Sequence, residues 1–411
     1  MRIRLRRPRN DRERFYQMEK DKNVWEIPYG MRDYLPDEAA AKRALETKLA
    51  RLFLDWGYDE VVTPTVEYMD NLTRGSSHSL EPHLFRLIDR HNRTVALRHE
   101  MTTPIARLVS SRLQDQPLPV KLSYISSVFR YEEAQAGRQC EFYQAGVELM
   151  GTTSAQADAE VVALAIESLR QSGLSDFQVC VGQVDFINAI LAQYNIDDDT
   201  QSAIRAALEK RNLVALGQLV DALKLPDNAK EVLRNLPLLN GGSELLDRAY
   251  TMALNERSRR ALDNLSEVYR LLKAYGVTEY VRFDLGIIRD FSYYTGLVFE
   301  IYAPGLGFPI AGGGRYDHLL SDFGAACPAT GFAVGIERIL MAQQCQQLPH
   351  YSPARDIYVG YAAARGAEAI EKARELRSEG RVVELAMMPE SREMAERSQQ
   401  QRGYAELVYL A

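Results

Sequence analysis

Apolar residues recur every three or four positions in some parts of the chain and every second position in others. The first pattern is typical of amphipathic helices and the second of half-buried strands. Helices are predicted over 36–56, 102–113 and 154–173, the last of them ending at Gly173. Strands are predicted at 121–130, 141–151 and 177–182, and the first two are expected to form an antiparallel pair joined by a loop.

Turn-forming residues divide the remaining strand signals. GYDEVVTPTVEY (57–68) predicts a strand interrupted at Pro64, and LFRLIDRHNRTVALRHE (84–100) predicts a hairpin with His-Asn at its turn. Farther along, the predicted elements are strands at 279–286 and 293–303, a glycine-rich turn at 311–317 (AGGGRYD), and a strand that leads into a helix at 329–344.

The order of these elements predicts an α+β fold built on an antiparallel sheet. Strand signals come first, an almost wholly helical stretch follows, and strand signals then return. This order does not suit a doubly wound parallel sheet. A β-α-β-α-β unit with a parallel sheet is predicted at the end of the chain. The predicted segments are a basic arm (1–24), a core (25–183 and 277–350), a helical insertion (184–276) and a small α/β domain (355–411).

Composition and charge are those of an ordinary soluble globular protein. Lys plus Arg is 50 and Asp plus Glu is 56, so the net charge is −6, which argues against a protein that grips a long RNA over its whole surface. No apolar run of about 18 residues is present, and no signal peptide is recognisable. The four cysteines are widely separated without a CxxC pair, so reduced thiols and a cytoplasmic location are expected.

The N-terminal arm is the exception to this charge balance. Residues 2–14 contain seven arginines and no periodic apolar face. Three interpretations remain open: a disordered solvated tail, an extension upstream of a start at Met18, or an arm that binds RNA.

The predicted strand pair 121–130 and 141–151 carries the first candidate chemistry. FRYEEAQAGRQCEFYQ (129–144) places Arg130 and Gln144 where both side chains can reach a shared site. Its loop resembles a clamp for a nucleotide phosphate, but Glu132 and Glu133 stand where a phosphate site prefers cations. The sequence therefore asks whether this loop still serves catalysis or has changed its role.

A metal site and a phosphate-binding turn have little support. Four of the six histidines fall at 78, 83, 91 and 99, a loose spacing across a loop and a hairpin, so no metal and no cofactor are expected. AGGGRYD lacks the GxxxxGK[ST] pattern of a phosphate loop. Two interpretations of it remain open: a tight turn with close backbone approach, and contact with a ligand.

Several polar residues are expected at strand ends or turns, where together they suit a zwitterionic amino acid. Carboxylates can bind an ammonium group and an imidazole N–H, and arginines can bind a carboxylate with two hydrogen bonds. Taken singly, each residue is more often a surface or sheet-edge polar group. The residues are Arg98–Thr102, Arg130, Gln144, Glu148, Arg289, Tyr293, Tyr294, Gly312–Arg315 and Arg338.

Over residues 25–411 the chain resembles class II histidyl-tRNA synthetases. The segments similar to the three class-defining motifs are GYDEVVTPTVEY, FRYEEAQAGRQCEFYQ and GFAVGIERIL, and residues 289–300 resemble the family's histidine-binding segment. The resemblance implies a six- or seven-stranded antiparallel sheet and a homodimer built on the first motif. The histidine-binding residues that it implies are Glu100, Thr102, Arg130, Gln144, Glu148, Arg289, Tyr293 and Tyr294.

Departures from the synthetase pattern point to a paralogous family. The loop contains RYEEAQ where synthetases have a sequence like RYERPQ, the later segment contains RDFSYY instead of RGLDYY, and RHEMT replaces RPEGT. The segment 355–411 is also too short for a complete anticodon-binding domain. AQAGRQxEFxQAGVELMG, followed by ADAEVVALAIESL, is closer to the regulatory subunits of ATP phosphoribosyltransferase.

This second resemblance implies a non-catalytic protein. Members of that family are similar to the synthetase in fold, lack aminoacylation, and work with a separate short catalytic subunit in the first step of histidine biosynthesis. The partners implied are that short catalytic subunit, a second copy of this chain and L-histidine acting as a feedback inhibitor, with no membrane and no tRNA. The alternative function is histidyl-tRNA synthetase, since Arg130, Arg289 and Arg338 match positions that hold ATP and the activated carboxylate.

Overall fold

The computed structural model describes residues 25–74, 78–131, 139–287, 293–349 and 351–411. Within them the chain forms two compact units, one made of 25–34 and 42–349 and the other of 35–41 and 351–411. The N-terminal arm and the loop that carries Glu132 and Glu133 lie outside the described residues. The four segments expected from the sequence remain a prediction.

The first unit contains a nine-stranded sheet and a second sheet of three strands. The strands are β1 (Asp59–Glu60), β2 (Val66–Tyr68), β3 (Arg86–Ile88), β4 (Thr94–Leu97), β5 (Val120–Phe129), β6 (Glu141–Met150), β7 (Gln178–Gln183), β8 (Asn240–Gly241), β9 (Val281–Asp284), β10 (Leu297–Tyr302), β11 (Ala311–Arg315) and β12 (Ala329–Gly335). The order in the large sheet is β1-β5-β6-β12-β11-β10-β7-β9-β8, and the order in the small sheet is β2-β4-β3.

Helices cover this sheet and fill the stretch between β7 and β9. Helix α4 (Ala155–Gln171) packs against β12, and α10 (Glu256–Ala274) packs against α4 and α5 (Val184–Gln193). The apolar side chains of these helices join those of the sheet in one continuous core. The helices are α1 (Pro36–Asp55), α2 (Met69–Leu72), α3 (Thr102–Arg112), α4 (Ala155–Gln171), α5 (Val184–Gln193), α6 (Asp198–Glu209), α7 (Leu213–Ala222), α8 (Asp227–Asn235), α9 (Glu244–Met252), α10 (Glu256–Ala274) and α11 (Ile336–Cys345).

The α+β class expected from the sequence is confirmed, and the large sheet is wider than expected. Its six central strands pair antiparallel, as predicted, from β5 to β7. Short strands extend both edges: β1 pairs parallel with β5, while β9 pairs parallel with β7 and carries β8. Strand β8 lies at the Gly241–Gly242 break of a stretch predicted to be helical, because its two residues pair with a strand more than 40 positions away.

Local sequence signals account for several element boundaries. The strand signal of 57–68 is divided around Pro64 into β1 and β2, and β3 and β4 form the predicted hairpin with Asn92 at φ +60° in its turn. Ser154 caps α4 by accepting a hydrogen bond from Ala157 N at 3.3 Å, and Gly173 follows that helix at φ +89°.

The prediction of a glycine-rich turn at 311–317 is wrong, because residues 311–315 form the buried strand β11. A Cβ at Gly313 would overlap the carbonyl oxygen of Gly331 on the neighbouring strand β12. Glycine is therefore needed for close packing of two strands, and not for a turn. Of the Gly312–Arg315 group, Arg315 is buried in an ion pair with Asp158 at 2.9 Å and so serves the core of the sheet.

The second unit contains the predicted parallel sheet. Strand β13 pairs parallel with β14 on one side and with β15 on the other. Its elements are β13 (Ile357–Tyr361), α12 (Gly366–Ser378), β14 (Val383–Leu385), α13 (Arg392–Arg402) and β15 (Glu406–Leu410). Among the helices of the described ranges, none is long and apolar enough to span a bilayer.

Candidate functional site

A cavity of about 440 Å³ opens on the large sheet of the first unit. Residues from β5, β6, β10, β11 and β12 line it together with the start of α3 and Arg338 of α11. Arg289, the eighth residue predicted for the site, lies outside the described residues. The seven predicted residues that the structure brings together in this cavity are Glu100, Thr102, Arg130, Gln144, Glu148, Tyr293 and Tyr294.

The expectation that the site residues all lie at strand ends or turns is wrong for several of them. Gln144 and Glu148 lie within β6, four positions apart, and therefore on one face of the strand. Arg98 is buried and donates hydrogen bonds from Nη1 to Thr63 O at 2.7 Å and from Nε to Ser127 O at 2.8 Å. It thus joins backbone segments and does not line the cavity.

Glu148 is the most deeply placed acidic group of the cavity. Its side chain is buried, and its Oε1 accepts a hydrogen bond from Thr102 Oγ1 at 2.8 Å. Its Oε2 accepts a hydrogen bond from the hydroxyl of Tyr316. Gly331 faces Glu148 from β12, and a Cβ at Gly331 would overlap the carboxylate. The missing side chain of Gly331 therefore makes the space that the carboxylate occupies.

Tyrosines surround this carboxyl group. The ring centroids of Tyr293 and Tyr316 are 5.6 Å apart, and those of Tyr293 and Tyr294 are 4.8 Å apart. Burial raises the pKa of Tyr124, Tyr293 and Tyr316 well above the usual range, and the nearby Glu148 carboxylate acts in the same direction. The three phenols are neutral at physiological pH and can act as hydrogen-bond donors.

The same burial changes the ionisation of Glu148. Loss of hydration raises its pKa from 4.5 to about 8, and the charge of Glu100 adds to the rise, while the hydrogen bonds from Tyr316 and Thr102 oppose it. The carboxyl group therefore holds a proton near neutral pH. A cationic or N–H-donating ligand would favour its ionised form.

This raised pKa predicts a pH-dependent stability that Glu148→Gln removes. A raised folded-state pKa contributes stability that is fully present below about pH 4.5 and is lost as the pH rises through about 8. The variant carries a neutral isostere and lacks this contribution to the pH dependence. Urea unfolding at pH 5 and pH 8.5 is expected to show a larger loss of unfolding free energy in the wild type than in Glu148→Gln. Equal losses of unfolding free energy in both proteins would contradict the raised pKa of Glu148.

Glu100 occupies the start of α3. Its Oε2 accepts a hydrogen bond from Thr102 N at 2.6 Å, and its Oε1 accepts one from Thr103 N at 2.9 Å. These contacts satisfy two backbone donors of the first helical turn and fix the carboxylate beside the cavity. Glu100 and Glu148 thus place two acidic groups around Thr102, which suits a ligand that carries positive charge.

Arginine side chains line another part of the cavity. Arg130 Nε donates to His99 O at 2.9 Å, and its guanidinium carbon lies 5.3 Å from the ring centroid of Phe142. Arg338 Nη1 donates to Pro309 O at 2.6 Å, and its guanidinium carbon lies 5.1 Å from the ring centroid of Phe308. Cationic groups over aromatic faces beside the acidic pair give the cavity both charge signs that a zwitterion requires.

Three tyrosines of the cavity, Tyr124, Tyr302 and Tyr316, were not predicted from the sequence. Tyr124 lies on β5 opposite Gly146, and a Cβ at Gly146 would lie 2.5 Å from the Tyr124 hydroxyl oxygen. Tyr316 follows β11, in the segment interpreted as a turn. Glycines opposite large polar residues were the available signal, but the pairing register that brings them together is not visible in the sequence.

Among the described residues, no three His, Cys, Asp or Glu side chains are grouped so that they could hold a metal ion. The acidic and basic groups of the cavity are instead engaged with hydroxyls, backbone amides and aromatic rings.

Comparisons with known proteins agree with the geometry of this fold. The family model described as histidyl-tRNA synthetase matches residues 30–339. A protein of Moorella thermoacetica named ATP phosphoribosyltransferase regulatory subunit is 45% identical over 372 residues, which cover 90% of this chain and 94% of that protein. A protein of the same name from Desulforamulus reducens is 42% identical, with 92% and 94% of the two chains covered.

A solved structure from Bacillus halodurans is also similar to this chain in its fold. It is described as an ATP phosphoribosyltransferase regulatory subunit/histidyl-tRNA synthetase, and it matches with a TM-score of 0.84 and 36% identity. The match covers 94% of this chain and 98% of that one. The chain belongs to the family of ATP phosphoribosyltransferase regulatory subunits, which are built on the fold of histidyl-tRNA synthetase.

Proposed function

We propose that this chain is a non-catalytic regulatory subunit of ATP phosphoribosyltransferase in the cytoplasm. Catalysis of the first step of histidine biosynthesis takes place on a separate short catalytic subunit. L-histidine binds in the cavity and inhibits that subunit at a distance. The observation that carries the proposal is a cavity with acidic and basic sides in a chain whose relatives are named regulatory subunits.

The cavity suits histidine in three respects. The acidic pair Glu100 and Glu148 offers acceptors for the ammonium group and for an imidazole N–H, and Arg130 offers a partner for the carboxylate. Tyr293 and Tyr294 supply aromatic faces beside them. Gln144 and Thr102 add polar atoms that can fix the orientation of the ligand. We assign Glu148 to the imidazole because it is the most deeply buried of the acidic groups.

Feedback inhibition requires that histidine bind one state of the assembly more tightly than another. The same coupling then changes histidine affinity when the catalytic subunit binds, since the effect is reciprocal. Histidine occupies this chain and acts on chemistry performed elsewhere. This arrangement separates the sensor from the catalyst.

A homodimer is the proposed building block of the complex. Apolar side chains are exposed on or near β2 and β3: Val62, Val66, Leu87 and Ile88 are each at least 45% exposed. The first two lie in the part of the chain that resembles the first synthetase motif. Burying such a face against a second copy removes apolar surface from water, and closed symmetric dimers are the commonest oligomers. The net charge of −6 argues against tRNA as a partner.

Co-purification tests the proposed assembly. Mixed with the short-form catalytic subunit of the same genome, this chain is expected to co-elute with it in size-exclusion chromatography. The catalytic subunit alone is expected to be nearly inactive. Separate elution at micromolar concentrations would contradict the proposed partnership.

An aminoacylation assay separates this function from its alternative. Histidyl-tRNA synthetase is favoured by the family model and by Arg130, Arg289 and Arg338, which resemble the synthetase positions that hold ATP and the activated carboxylate. Arg130 and Arg338 line the cavity. We expect no formation of histidyl-tRNA above a control without enzyme. Measurable charging of tRNA(His) would replace the regulatory function with the synthetase activity.

A further inference from the structure

We propose that Arg211 and Asp284 are positioning residues. Through their ion pair, the stretch 211–241 fixes the position of an aromatic wall of the cavity. The proposal rests on the proposed function only in its choice of histidine as the ligand to measure. Arg211 lies in the turn between α6 and α7, and Asp284 ends β9. Their side chains form an ion pair between Arg211 Nη2 and Asp284 Oδ2.

The Arg211 side chain is 57% exposed, but the carboxylate that it contacts is buried and has a second partner. The Asp284 side chain is only 7% exposed, and its Oδ1 accepts a second hydrogen bond from Gly286 N at 3.0 Å. Exposed ion pairs contribute little to stability, whereas a buried carboxylate depends strongly on its partners. Arg211 has a φ of +47°, a left-handed conformation that disfavours residues with a Cβ. The fold thus holds the guanidinium in place against a local steric cost.

Backbone contacts join the same two segments next to the ion pair. Leu285 N donates to Leu239 O at 2.9 Å, and β8 pairs with β9 through Asn240 and Asp284. A Cβ at Gly286 would lie 2.8 Å from Pro237 Cα, so the two chains are as close as a glycine allows. The segment 283–286 is therefore held by the stretch 211–241 through side-chain, hydrogen-bond and packing contacts.

Ile287, which directly follows this segment, packs next to a residue that lines the cavity. Ile287 belongs to a small apolar cluster with Val184 and Val298, and Tyr294 packs against that cluster. A Cβ at Gly182 would overlap Ile287, which shows how tightly this side chain is packed onto β7. Tyr294 in turn lines the cavity beside Tyr293. A displacement of Asp284 would thus be transmitted through Ile287 to an aromatic wall of the site.

Arg211→Asn is the variant that tests this inference. Asparagine tolerates the left-handed conformation better than most residues, so the change removes the guanidinium without adding backbone strain. We expect histidine binding, measured by calorimetry at 25 °C, to weaken about 5- to 20-fold, within the usual range of coupling between sites. Arg211→Lys keeps a cation and is expected to restore part of the affinity. In a double-mutant cycle, adding Asp284→Asn to Arg211→Asn is expected to have a smaller effect than Asp284→Asn alone.

The matched control is Arg51→Gln. Arg51 also pairs with an aspartate, Asp55, at 2.8 Å, and its side chain is also more than half exposed. Both residues lie on α1, and neither belongs to the stretch 211–241, the segment 283–286 or the apolar cluster of Ile287. This control is expected to leave histidine affinity unchanged. Equal weakening by both variants would mean a general loosening of the helices and would overturn the inference. Wild-type affinity in Arg211→Asn would overturn it too.

Hydrogen exchange in the unliganded protein supplies a readout that does not require histidine. Arg211→Asn is expected to accelerate amide exchange in peptides covering 281–287 and 293–302, and to leave β5 and β6 unchanged. If the wild type failed to bind histidine, the proposed function would fail, while faster exchange in these peptides would still support the positioning role. Unchanged exchange there would remove the positioning role regardless of the ligand.

Discussion

Replacing Glu148 with alanine is expected to weaken histidine binding by roughly 10- to 150-fold. The change removes the buried acceptor assigned to the imidazole N–H, and a hydrogen bond to a charged group contributes about 1.5–3 kcal/mol. It also leaves the hydroxyls of Thr102 and Tyr316 without the carboxylate that they contact. Isothermal titration calorimetry of histidine with the purified chain measures the effect directly.

Two further variants show whether the effect belongs to the carboxyl group. Glu148→Gln retains an acceptor oxygen and is expected to bind histidine with an affinity between those of wild type and Glu148→Ala. Glu160→Ala is the matched control, because Glu160 also accepts a hydrogen bond from a tyrosine, Tyr58, at 2.8 Å but does not line the cavity. Unaltered histidine binding in Glu148→Ala would show that the ligand site lies elsewhere.

Replacing Gly331 with alanine is expected to disturb the site without changing any group that contacts a ligand. The added methyl group would overlap the Glu148 carboxylate and lie 2.5 Å from Val147 O, and the backbone oxygen cannot move away easily. Overpacking of this kind costs about 1–3 kcal/mol. We therefore expect a lower urea midpoint together with weaker histidine binding.

Gly217→Ala is the control for this substitution. Gly217 lies within α7, and apart from its chain neighbours and its own helix backbone no atom lies within 4 Å of the position of a Cβ. Alanine is favoured over glycine inside a helix by roughly 0.5–1 kcal/mol, so this variant is expected to be slightly more stable than wild type. Wild-type stability and binding in Gly331→Ala would contradict the packing described for β6 and β12.

Local patterns in the sequence were sufficient for much of the fold. The division around Pro64, the hairpin turn at Asn92 and the end of α4 before Gly173 all follow from residues whose backbone preferences act over a few positions. The parallel sheet of the second unit follows from alternating strand and helix signals. Such features require no knowledge of which distant segments pair.

Features that depend on distant pairing were not predictable in the same way. The AGGGRYD segment has the composition of a turn, yet its glycines are needed because β11 and β12 approach each other closely. Strand β8 forms only because Asn240 and Gly241 meet β9. Register between strands decides both cases, and a single sequence does not reveal that register.

The candidate site shows the same division. The resemblance to the synthetase identified seven residues that the structure places around one cavity, with Arg289 outside the described residues. It did not identify Tyr316, which contacts Glu148 directly, or Gly331, which makes room for that carboxylate. The roles of these residues depend on the antiparallel pairing of β6, β12 and β11, and they emerge only when the sheet is assembled.

The most direct test of the central claim is the ATP phosphoribosyltransferase activity of the reconstituted complex, titrated with histidine. Wild-type chain and Glu148→Ala are each combined with the same short catalytic subunit. We expect both complexes to be active without histidine, and the inhibition curve of the variant to lie at roughly 10- to 150-fold higher histidine concentration, in line with its weaker binding. Equal inhibition of the two complexes, or full activity of the catalytic subunit without this chain, would contradict the account.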